Sequence, residues 1–188
     1  MISPLAYVDP GAKIGKNVTV YPFAFIDKNV EIGDDCVIMP YASVMSGTRM
    51  GRGNRVFQNA VLGAEPQDFK YKGDDTLLVI GDNNVIRENV VINRATFADG
   101  KTEIGNGNFL HEGVHISHDT KIGSHCVLGY GSKLSGNCLL EDCVIFGGNI
   151  LMSQGCRVGC WSMVQTGCRF RKDIPPYIVA AKEPTTYY

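Results

Sequence analysis

The sequence lacks several features that would place it quickly. It has no excess of charge of either sign, since 18 lysines and arginines stand against 19 aspartates and glutamates, a formal net charge of −1. That balance speaks against the basic footprint of a nucleic-acid binder. No apolar run is long enough for a membrane span. The opening residues, MISPLAYVDPGAKIG, hold neither the basic nor the apolar region of a secretory signal, so a cytoplasmic location is expected. The seven cysteines form an odd set with no C-x-x-C pair, which argues against a disulfide framework or a zinc ribbon.

What the chain does have is glycine, 22 in 188 residues, and a period. Every sixth residue from Ile2 to Leu62 is large and apolar. The register resumes at Ile80, Ile86 and Ile92, and after a second break runs from Ile104 to Phe170. Four residues beyond each of these comes a mostly small slot, which holds Ala6, Ala24, Ala42 and five of the cysteines: Cys36, Cys126, Cys138, Cys156 and Cys168. Buried thiols behave as small hydrophobes, so these need no redox role. Asn54, Asn84 and Asn108 share the slot and fit it less comfortably. No charge enters either file, as burial demands.

Period six is neither the 3.6 of a helix nor the plain two of a strand. Short strands joined by turns, three hexapeptides to a coil, make a triangular prism of parallel β-structure. The pattern resembles the hexapeptide-repeat family of left-handed parallel β-helices, an all-β solenoid, over nearly the whole chain. That resemblance also supplies the hand, which the usual right-handed crossover rule would not. The β-helix is expected over residues 1–174, with 175–188 as a tail. The breaks in register are expected to be extruded loops over residues 63–79 and 93–103, where function tends to sit on a rigid scaffold. Apolar residues in outward registers, among them Phe25, Phe57, Val91, Phe109, Val127 and Ile145, point to a buried subunit contact. Prisms of this family form homotrimers with sites in the clefts between subunits, so a homotrimer is expected.

All four histidines fall within HEGVHISHDTKIGSH, residues 111–125. With Ile116 and Thr120 inward, His115, His118 and Asp119 point outward, as do His111 and His125. A satisfied core histidine is therefore disfavoured, and for His111 and His125 an ordinary surface role is expected. No metal site is expected, because zinc needs three or four convergent ligands. The spacing also does not match that of the zinc-binding trimeric carbonic anhydrases built on this prism. A neutral imidazole, with a pKa near ~6.5, can instead accept a proton from a sugar hydroxyl.

The segment HISHD closely resembles the catalytic stretch of the UDP-N-acetylglucosamine O-acyltransferases that open lipid A synthesis. QDFKY, IGDNNVIRENVVINRAT, GGNILMSQ and DIPPYIVA join it. The resemblance implies His118 as general base, Asp119 orienting it, and Gly136 offering a backbone N–H to the oxyanion. It implies substrate contacts from Asp68, Lys70, His115, Asn137 and Gln154, and no cofactor. The acyl chain is expected to end near Met152, Met163 and Thr166. Acyl carrier protein, the acidic donor, is expected to meet Arg157, Arg169, Arg171 and Lys172, and the acceptor to be a UDP-sugar. The family commonly has histidines where this chain has Asn137 and Ser153. It also continues into a C-terminal helical domain, of which residues 175–188 would be the start. A related transferase with another donor or acceptor, or a non-catalytic scaffold, stays open on the sequence alone.

Overall fold

The computed structural model describes residues 1–182 and 185–187. Its strands form three sheets of nine, eight and ten members, the sides of a left-handed triangular prism. The first sheet runs from Tyr7–Val8 through His115–Ile116 to Arg169–Phe170. The second runs from Lys13–Ile14 through Lys121–Ile122 to Arg157–Val158, and the third from Thr19–Val20 to Thr186–Tyr187. Among the described residues no helix is long and apolar enough to cross a membrane.

The six-residue period has a direct physical origin. Most strands contribute only two residues to a side, and a tight turn then carries the chain round the corner. Turns of this kind need a left-handed backbone at one position. Asn17 (φ 55°), Asn29 (φ 55°) and Asn137 (φ 57°) supply it, residues whose short polar side chains tolerate that region. The N–H groups of the rungs donate to carbonyls of the next coil, as where Lys13 donates to the Val30 carbonyl at 2.8 Å. Parallel neighbours stay in register, with Tyr7 beside Phe25 and His115 beside Lys133.

The repeat positions fill the prism. All are buried except Ile2, Val8 and Ile14, which belong to the open first coil. Each enclosed aliphatic contributes roughly 1.5–3 kcal/mol. The three asparagines of the small slot are fully satisfied by one another and by the backbone. Asn84 donates from N–H and Nδ2 to Asn54 Oδ1 at 2.9 and 3.0 Å, the N–H of Asn108 donates to Asn84 Oδ1 at 2.8 Å, and that of Cys126 to Asn108 Oδ1 at 2.7 Å. A file of glycines follows the aliphatics down one edge because the coils nearly touch there. A Cβ on Gly33 would lie 2.6 Å from the carbonyl carbon of Gly51.

The sides differ outwardly. On the second sheet, charged residues pair along the side, as Lys13 with Glu31 at 2.9 Å and Lys101 with Glu103 at 3.1 Å. The third sheet presents Val37, Val85, Phe109, Val127, Ile145 and Met163, broken by Arg55.

Both extruded loops are shorter than the sequence suggested. Strands Val61–Ala64, Leu77–Ile80, Val91–Asn93 and Lys101–Ile104 extend past the two-residue rung, leaving loops at residues 65–76 and 94–100. Pairing across these longer strands gives their backbone groups partners that the apolar period did not reveal. Beyond residue 174 the third sheet gains Val179–Ala181, parallel to Met163–Val164, and then Thr186–Tyr187, antiparallel to it. Glu183, Pro184 and Tyr188 of that segment lie outside the described residues.

Candidate active site

One corner of the prism carries the candidate chemistry. Both loops leave from the edge joining the first and second sheets, in consecutive coils, and His118 follows on the same edge in the next. Its side chain lies outside the prism, as the register requires. It is nevertheless only 9% exposed, because the loops close over it.

Three chain segments fix its ring. Nδ1 lies 2.8 Å from Asp119 Oδ2 and 2.8 Å from Thr96 Oγ1. An unprotonated Nδ1 would set its lone pair against the Asp119 carboxylate, so the proton resides on Nδ1 and the lone pair on Nε2. Asp119 is itself held. Its backbone, at φ 58°, donates to Thr102 Oγ1 at 2.9 Å, and its carboxylate accepts the Thr96 N–H at 3.2 and 3.3 Å.

On the other side, Nε2 faces Asp68 Oδ2 at 3.6 Å, while Asp68 Oδ1 accepts the Lys70 N–H at 2.9 Å. Arg94 secures that loop. It donates to the Gly63 carbonyl at 3.1 Å and to Tyr71 Oη at 2.7 Å, with its guanidinium carbon 5.6 Å from the Tyr71 ring centre.

Gly136 lies one coil further along, directly against the imidazole. A Cβ there would clash with His118 Cε1 and would lie 2.6 Å from Nε2 and 3.0 Å from Nδ1. The backbone of Gly136 is not in the left-handed region, so its missing side chain answers to close approach and not to conformation. Among the described residues its N–H donates to no protein group.

His115 lies half-buried on the first sheet, with Nε2 2.9 Å from Ser117 Oγ. Burial chiefly, then the nearby charges of Lys133 and His118, lowers its pKa below the ordinary histidine value. It is a neutral hydrogen-bonding group at pH 7.

The structure therefore brings His118, Asp119, Asp68 and Gly136 together. Gln154 stands exposed on the same edge, one coil beyond Gly136, and Asn137 is an exposed corner residue. Lys70 is exposed on its loop. Met152 is misplaced by the sequence reading. It is 1% exposed inside the prism, on the repeat register itself, so it packs the core and lines no external pocket. Met163 and Thr166 lie on the third sheet and the edge after it, away from His118 within one chain. Arg169, Arg171 and Lys172 share a cavity of about 560 Å³ with Ser153, Phe170, Thr185 and Tyr187 at the end of the prism. Arg157 is not among them, being paired with Glu141 at 3.4 Å on the second sheet. Thr96 and Arg94 escaped the sequence reading, since the repeat does not govern positions inside a loop. Their only signal was membership of the stretch NRAT.

Among the described residues no group of three or more His, Cys, Asp or Glu is arranged to hold a metal.

Fold and site together define a hexapeptide-repeat transferase. Residues 101–136 match the family described as bacterial transferase hexapeptide (six repeats). A relative from Janthinobacterium sp. (strain Marseille), an acyl-[acyl-carrier-protein]–UDP-N-acetylglucosamine O-acyltransferase, is 46% identical over 182 residues, 96% of this chain and 70% of its own length. The crystal structure of a UDP-N-acetylglucosamine acyltransferase from Bacteroides fragilis 9343 superposes with a TM-score of 0.99 at 54% identity, covering all of this chain and 74% of that one. The corresponding enzyme of Francisella novicida gives 0.98 at 37% identity, over 100% and 70% of the two chains. The chain belongs to the acyl-[acyl-carrier-protein]–UDP-N-acetylglucosamine O-acyltransferase family.

Proposed function

We propose that the protein transfers a 3-hydroxyacyl chain from acyl carrier protein to the 3-hydroxyl of UDP-N-acetylglucosamine, in the cytoplasm, as the first step of lipid A synthesis. One observation carries the reading of the site: an imidazole held at Nδ1 by a carboxylate and packed against Gly136, a residue with no side chain and an uncommitted backbone N–H. His118 Nε2 takes the proton from the sugar hydroxyl as its oxygen attacks the thioester carbonyl carbon. Negative charge passes to the carbonyl oxygen, where the N–H of Gly136 meets it. Asp119 stabilises the imidazolium. Collapse of the tetrahedral species breaks the carbon–sulfur bond, and Nε2–H returns its proton to the departing thiolate. The products are the 3-O-acyl sugar nucleotide and free carrier thiol.

The prism, residues 1–174, is the catalytic unit of this scheme. Asp68, Lys70, His115, Asn137 and Gln154 contact the acceptor and the acyl group. The cationic end, Arg169, Arg171 and Lys172, receives the acidic carrier. The apolar file on the third sheet supports a homotrimer, whose clefts would bring Met163 and Thr166 of one subunit towards the acyl chain at another.

The test is incubation with 3-hydroxyacyl carrier protein and UDP-N-acetylglucosamine, reading the acylated nucleotide by mass spectrometry. His118→Ala is expected to lower kcat by about 10²–10⁴-fold. Equal product from both proteins would remove His118 from the mechanism.

A further inference from the structure

We propose that Thr96 is a positioning residue for acyl transfer, the second acceptor that holds the proton on His118 Nδ1 and steadies the imidazolium during the reaction. The proposal rests on the reading of His118 as the base.

Thr96 sits in the loop 94–100 and is fully buried. It touches both members of the dyad. Its backbone N–H reaches the Asp119 carboxylate at 3.2 and 3.3 Å, and its hydroxyl oxygen lies 2.8 Å from His118 Nδ1. Asp119 Oδ2 is equally close to Nδ1. A single Nδ1–H therefore has two oxygen acceptors, a carboxylate and a hydroxyl. The hydroxyl cannot donate to Nδ1, which has no lone pair to offer in this tautomer.

The consequence appears when Nε2 takes the substrate proton. The ring becomes a cation, and hydrogen bonds that accept from it strengthen. The charged and titratable groups facing that cation are Asp119 at Nδ1, Asp68 at Nε2 and, from the preceding strand, His115. Thr96 adds a neutral acceptor that needs no ionisation of its own. Its loop also bends tightly over Asp119, for a Cβ on Gly100 would lie 2.7 Å from the Phe97 carbonyl oxygen and 3.6 Å from Asp119 Oδ1. The second extruded loop thus completes the base, where the prism corner alone supplies His118 and Asp119.

Two substitutions separate the hydroxyl from the backbone. Thr96→Val keeps shape and N–H but loses the acceptor, and Thr96→Ser keeps both. Steady-state acyl transfer from 3-hydroxyacyl carrier protein to UDP-N-acetylglucosamine would be followed across pH for each protein. Thr96→Val is expected to lower kcat by about tenfold, the scale of one hydrogen bond to a charged group, with KM unchanged. The acid limb of its kcat/KM profile is expected at lower pH than in the parent, because the protonated ring has lost an acceptor. Thr96→Ser is expected to restore both kcat and the limb. If Thr96→Val does not fold, Thr96→Ala is read in its place against the same serine variant. An unmoved acid limb with parental kcat, or equal loss in the serine and valine variants, would overturn the role of Thr96. His118→Ala is measured alongside, and retained activity there would refute the base itself, a failure distinct from an inert Thr96.

Discussion

Replacing Gly136 with alanine tests the contact on which the geometry of the site turns. The new Cβ would lie 2.6 Å from His118 Nε2 and 3.0 Å from Nδ1, whereas non-bonded heavy atoms settle at about 3.5–4.0 Å. The ring must therefore retreat by about 1 Å or the corner must open. Retreat is resisted, since the side chain is only 9% exposed and its Nδ1 lies 2.8 Å from both Asp119 and Thr96. A displacement of that size costs about 100-fold in rate when it moves a reacting group. Overpacking adds a loss of stability of about 1–3 kcal/mol. Alanine keeps the N–H, so the loss could not be charged to a missing oxyanion donor. Initial rates of nucleotide acylation and urea unfolding would be measured on the same preparations. The expected result is a fall in kcat far larger than the modest loss of stability explains. An alanine variant with parental kcat would refute the reasoning, because it would mean that the ring position is not critical.

Ile122→Asp is expected to abolish soluble folding, since Ile122 is 1% exposed in the core, while the exposed neighbour Lys121 should accept aspartate. Equal soluble yield of the two on expression would contradict the inward register. Burial pushes the Cys126 and Cys138 thiols up to about 11, so both should resist iodoacetamide at pH 8 until the protein unfolds. The sign for stability follows. Between the unfolded value near 9 and the folded value near 11, the unfolded chain binds fewer protons, so stability should fall as pH rises through that window. Urea midpoints measured from pH 8 upward check this, and a midpoint that rose with pH would contradict it.

The prism was legible because six residues per side leave the same orientation open at each repeat, and burial then writes itself into every sixth position. Asn84 and Asn108 were harder. Their fitness depends on partners a full coil away, which a single residue does not announce. Met152 stands in the inward file of the repeat, and its 1% exposure follows that period and not the acyl pocket that the resemblance implies near it. His118 was correctly turned outward, but its burial was not visible, because two loops of irregular sequence cover it. Thr96 shows the same boundary between what repeats and what does not. Arg157 is close to the other cations in sequence, but it lies on the second sheet, 3.4 Å from Glu141, which follows strand Leu139–Leu140 of the preceding coil.

Along the edge that bears His118, positions recur once per coil, through Gly136 and Gln154 to Lys172, at the strand spacing of about 4.8 Å. Separation between the histidine and the cationic end is thus a whole number of steps rather than a continuous length. Point substitutions cannot alter it by a fraction. A lineage could lengthen or shorten that reach only by gaining or losing an entire turn of the solenoid, keeping every hydrogen bond and every buried residue in its accustomed place.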